Sequence, residues 1–146
     1  MKRSVVIWAV LALMFSAVSA FAGVRDFGRF TLYVPGDWTA TQQGDTTILM
    51  KDDNTASMSI TITEAEGSAR YMAESLASEF EETFESVSTP ERDSDGDYSW
   101  EMVNSYGVTT YAMLRVYDGE VMLITMTGVE SAGEDIAAIL GSVKEN

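Results

Sequence analysis

Asp93, Asp95 and Asp97 alternate along the run Asp93-Ser94-Asp95-Gly96-Asp97. Three carboxylates around a glycine are hard oxygen donors of the kind calcium takes. An EF-hand loop counted from Asp93 needs Gly at its sixth position and Glu at its twelfth. Those positions hold Tyr98 and Asn104, so that template fails, and Glu91 or Glu101 would have to complete an irregular site. The alternative is an acidic loop whose side chains are simply solvated. Calcium on Asp93, Asp95 and Asp97 is therefore the one cofactor the sequence puts forward; otherwise none is expected.

The rest of the chemistry is narrowed by what is missing. The chain has no Cys and no His. It therefore has no disulfide, no thiolate nucleophile, no Ser-His-Asp triad, no Cys/His zinc site and no haem ligated by either residue. Carboxylate pairs can do general acid–base work, as in glycosidases, but 23 acidic residues make chance pairs unavoidable and none is marked by its spacing. Met113, Met122 and Met126 could offer thioethers to copper(I), yet without His or Cys beside them they read as core filling. Trp38 and Trp100 are expected in the core with their indole N–H groups hydrogen-bonded; an exposed pair would instead form a ligand platform. Glu74, Glu79, Glu81, Glu82 and Glu85 form a charged helix face, which is either a solvated side or a docking surface for a basic partner. Nine Lys and Arg against 23 Asp and Glu give a net charge of -14, which argues against nucleic acid as a partner.

Residues 1–22 have the plan of a bacterial signal peptide: Lys2-Arg3, an apolar stretch from Val5 to Val18, then Ala20-Phe21-Ala22 as a small-residue cleavage site. Cleavage after Ala22 releases a chain starting at Gly23, and cleavage after Ala20 is a second option. The rival reading is a retained anchor, since Ser4 to Val24 is uncharged and long enough to span a bilayer. Without Cys there is no lipidation site. The expected location is the periplasm, with no stable membrane insertion after cleavage, and oligomeric state stays open.

Residues 23–146 are expected to form a single domain, large enough to bury about two-thirds of its unfolded surface. Strands are expected where apolar and polar residues alternate: Phe30 to Val34, Thr46 to Lys51 with Ile48 and Met50 as its apolar positions, and Ser57 to Thr63. Asp52-Asp53-Asn54-Thr55 is a turn cluster between the last two. Ser68 to Ser86 carries a three-and-four-residue apolar stripe of Ala69, Met72, Ala73, Leu76, Phe80 and Phe84, hence a helix capped by Gly67-Ser68. Tyr98 to Met102, Val108 to Tyr117 and Val121 to Met126 continue as strands, the last apolar on both faces and so central. Asn104 to Gly107 is a turn, and Asp118-Gly119 suits a type I′ hairpin. Ser131-x-x-Glu134 is a capping box opening a helix with Ile136, Ile139, Leu140 and Val143 on one face. The order of strands, helix, strands and helix gives an α+β fold on an antiparallel sheet flanked by helices.

The segment Phe30-Thr31-Leu32-Tyr33-Val34-Pro35-Gly36-Asp37-Trp38 resembles the opening of the Mog1/PsbP-like superfamily, which includes the DcrB-type bacterial periplasmic proteins. The closing Ile139-Leu140-Gly141-Ser142-Val143-Lys144 and the element order over residues 24–146 are similar too. The resemblance implies an α/β/α-type sandwich and a non-enzymatic role as a binding or assembly factor. Two departures stand out. PsbP-type proteins can hold metal through histidine and dock through basic residues, whereas this chain has no histidine and is acidic. The acidic GTPase-binding positions of Mog1-type proteins find no match here. The expected function is thus an exported accessory or interaction protein of the cell envelope with a protein partner, the alternative being a small-ligand or calcium-binding module at Asp93–Asp97.

Overall fold

The computed structural model describes residues 22–146, so the leader expected over residues 1–22 lies, except for Ala22, outside the described residues. The elements run β1 (Gly23–Asp26), β2 (Phe30–Val34), β3 (Trp38–Gln43), β4 (Thr46–Lys51), β5 (Ser57–Glu64), α1 (Ala69–Phe80), β6 (Ser86–Val87), β7 (Glu91–Arg92), β8 (Tyr98–Val103), β9 (Thr109–Tyr117), β10 (Glu120–Thr127), α2 (Val129–Ser142) and β11 (Lys144–Glu145). Among the described residues strands dominate, the pairing is antiparallel in every register described, and two helices complete the set. None of the described helices is long and apolar enough to cross a membrane. The chain packs as two compact units, residues 22–57 with Val129–Asn146, and Met58–Gly128.

In the first unit β2 is the middle of a three-stranded sheet, between β1 and β11. Its alternation does what period 2 requires: Phe30, Leu32 and Val34 are buried, while Thr31 and Tyr33 stay half-exposed. Helix α2 packs on β2 with Ile136 and Ile139 buried. Strands β3 and β4 form a hairpin with Gln43 opposite Thr46, closed through Gly44 at φ 58°. On β4 the buried positions are Thr47 and Leu49, and Ile48 and Met50 are half-buried, the reverse of the sequence expectation. Three consecutive apolar residues, Ile48-Leu49-Met50, make the two faces nearly equal, so periodicity alone could not choose between them.

In the second unit the strand order is β5-β10-β9-β8-β6, with β7 also paired to β8. β10 is internal, as its two-sided apolarity requires. Asp118 and Gly119, at φ 47° and 77°, join β9 to β10 with Tyr117 opposite Glu120. That is the positive-φ pair a tight hairpin of this hand needs. Helix α1 lies against β8 and β9, where Ala73 and Ala77 join Trp100, Met102, Ala112, Leu114 and Val121 in one buried cluster.

Both helices depart from expectation at an end. Ser68 does cap α1, its Oγ accepting the Tyr71 N–H at 3.1 Å. The helix stops at Phe80 rather than Ser86. Glu79 lies in its last turn and Glu81 at its C-cap, with no basic residue to complement the dipole. The following residues fold back until Glu85 N–H donates to Val103 C=O and Ser86–Val87 pairs with β8. Phe80 and Phe84 are accordingly only half-buried and meet edge to face at 5.9 Å, while Ala73 and Ala77 are buried. Helix α2 begins at Val129, before the expected capping box, and breaks at Ala132 (φ -127°, ψ 30°).

Candidate functional site

The acidic loop is held by its own side chains. Asp93 Oδ1 accepts the backbone N–H groups of Asp95 (2.8 Å) and Asp97 (3.0 Å), and Asp93 N–H donates to Asp97 C=O. Gly96 takes φ 87°, where a side chain would be strained. Asp97 turns inward and is 5% exposed. Its two carboxylate oxygens receive Arg115 Nε at 2.9 Å and a terminal Arg115 nitrogen at 2.8 Å, the two-pronged geometry that suits guanidinium to carboxylate. Asp93, Asp95 and Asp97 are thus brought into one turn. Asp93 serves the loop backbone, Asp97 serves Arg115, and Asp95 stays exposed. Among the described residues no group of three or more acidic side chains takes a metal-binding arrangement.

A second polar cluster forms at the Pro35–Trp38 corner. Trp38 N–H closes a turn onto Pro35 C=O, and Asp52 N–H donates to Asp37 C=O. The turn places the Trp38 ring in the core at 1% exposure with its indole N–H on Asp135 Oδ2 at 2.9 Å. Lys51 Nζ lies 4.0 Å from that same oxygen and 3.9 Å from Asp37 Oδ2. Asp37 and Asp135 are 58% and 35% exposed, so the lysine lies between two solvated carboxylates. At the other resembling segment, Ser142 Oγ donates to Ile139 C=O and accepts Tyr33 N–H, tying the end of α2 to β2 before Lys144–Glu145 pairs with it. The two motif-like stretches therefore act as fasteners of the first unit.

Met122 is buried and Met113 and Met126 are half-buried on β9 and β10, with Ile124 opposite Met113. Trp100 is buried as expected, but its indole N–H has no hydrogen-bond partner, unlike that of Trp38. Arg70 pairs with Glu74 one helical turn on, and that hydrogen bond holds its guanidinium above its ordinary range. In the turn after β4, Thr55 gives both its hydroxyl and its N–H to Asp53, which holds that carboxyl below the usual range. Sequence reasoning left Lys51, Asp135 and Arg115 without roles. Each gains one from a partner distant in sequence, and nothing local announces it.

No protein-family model and no curated protein matches the chain. Among solved structures it is similar to cyanobacterial PsbP (CyanoP) from Synechocystis sp. PCC 6803, with a TM-score of 0.58 at 10% identity, covering 87% of this chain and 95% of that one. A Bacteroides thetaiotaomicron VPI-5482 protein also aligns, with a TM-score of 0.48 at 10% identity, over 88% of this chain and 49% of that one. The fold is PsbP-like.

Proposed function

We propose that this chain is an exported, non-enzymatic accessory protein of the bacterial cell envelope, of DcrB type, which works in the periplasm by binding another protein. The observation that carries the reading is the state of its most distinctive polar groups. Asp97, Trp38, Asp135 and Ser142 are each engaged in an internal bond, and the reading accordingly assigns recognition to the exposed surface. The PsbP-like fold, the leader pattern of residues 1–22 and the acidic surface agree with that role.

The test is expression of the full tagged chain in a bacterium, followed by fractionation, N-terminal sequencing and mild affinity isolation. The expected result is a periplasmic chain beginning at Gly23 that brings down one defined protein, confirmed by the reciprocal isolation. A cytoplasmic, uncut chain, or repeated isolations with no specific companion, would overturn the proposal.

A further inference from the structure

The β8–β9 connection presents an apolar tip. Tyr106 is 90% exposed and Val108 43%, although both lie between well-formed strands. The tip is stiff. Asn104 Oδ1 accepts the N–H groups of Tyr106 (2.9 Å) and Val108 (3.0 Å), Asn104 N–H donates to Val108 C=O, and Gly107 N–H returns to Asn104 C=O with Gly107 at φ 78°. A tyrosine held out on a pre-ordered turn offers contact area at low entropic cost, which is how interface anchors are built.

The base of the tip is acidic. Glu85 N–H donates to Val103 C=O at 2.9 Å, which places the exposed Glu85 beside the start of the turn. Charge selects the occupant. A second copy would bring the same excess of acid and set acids against acids. Anionic lipid and nucleic acid are repelled by the same field. We propose that the Asn104–Val108 tip is a docking surface whose occupant is a basic protein with an apolar pocket for Tyr106 rimmed by Lys or Arg. This rests on the accessory-protein reading and names its contact surface.

The experiment places p-benzoylphenylalanine at position 106 of the full exported chain, and separately at position 71, and irradiates living cells. Tyr71 is 60% exposed on α1 and serves as the comparison. The expected result is one discrete adduct from position 106 and none from position 71, with the partner's attachment site lying between basic residues. With that partner purified, Tyr106→Ala should weaken binding about tenfold or more. Glu85→Lys and added salt should weaken it too, with the melting temperature of Tyr106→Ala unchanged. Adducts from position 71 alone, or equally from both, overturn this surface while leaving an accessory protein. An adduct to a second copy, or to an acidic site, overturns the charge argument. No adduct from either position overturns the surface, and if affinity isolation also finds no companion the accessory reading falls separately.

Discussion

Two buried tryptophans differ at one atom. Trp38 gives its indole N–H to Asp135, whereas the N–H of Trp100 is buried without a partner. Replacing either by Phe removes ring volume, but only Trp38→Phe also breaks a hydrogen bond to a charged acceptor. That bond is worth about 1.5–3 kcal/mol, while an unpaired buried donor costs about 1–3 kcal/mol in the folded state. Urea unfolding should therefore find Trp38→Phe much the more damaging, with Trp100→Phe close to wild type. Equal losses would mean that ring volume alone decides. Asp97 makes the complementary case. Its side chain is 6% exposed and that of Arg115 is 52% exposed, so Arg115→Met strands a buried carboxylate at a cost of about 1–3 kcal/mol, reduced from a fully buried pair by the solvent around the arginine. Millimolar calcium should leave the wild-type melting temperature unchanged, because both Asp97 oxygens are occupied. A calcium-dependent rise belongs to Arg115→Met, where they are released; a rise in the wild type would show that the ion displaces the arginine.

At the scale of elements, the ends are decided by single groups. Ser68→Ala removes the acceptor of the Tyr71 N–H and should cost about 0.5–2 kcal/mol, measured by thermal or urea unfolding, because a first-turn N–H is then left without its cap. A smaller loss would mean that water replaces the hydroxyl at this exposed end. The central strands and both helices were legible in the sequence because each carries enough residues for its period to show. β2, β5, β8, β9 and β10 alternate or stay apolar, and α1 repeats at helical steps. The short strands β1, β6, β7 and β11 were not, since two to four residues carry no period and become strands only by bonding to β2 or β8. β3 escaped for another reason: after Trp38 and Ala40 its sequence is polar. The early stop of α1 is a competition that periodicity cannot weigh. The apolar stripe runs on through Phe84, but acidic residues crowd a helix end that disfavours them, and the edge of β8 offers Ser86 and Val87 backbone partners instead. The acidic loop was legible as a turn. Its inward Asp97 was not, because Arg115, 18 residues on, decides it.

For the whole molecule the governing quantity is the excess of acid. A net charge of -14 on 146 residues repels itself more strongly in the compact state than in the unfolded chain. Salt acts on two opposed terms. It screens this repulsion, and it also weakens pairs such as Arg70–Glu74, whose side chains are 75% and 57% exposed. Exposed pairs contribute about 0–1 kcal/mol each, and nine basic residues cannot balance 23 acids however they are paired. Repulsion should win, so the melting temperature should rise by a few degrees as sodium chloride goes from low to physiological concentration. Glu79→Lys tests the same balance from the protein side. The site lies exposed in the last turn of α1, where a cation suits the helix dipole, and the change shifts the net charge by two units toward neutral. That variant should melt higher than wild type at low salt and gain less on salt addition. If salt instead lowers the melting temperature of the wild type, local ion pairs outweigh the global field, and the argument that charge selects a basic partner loses its footing.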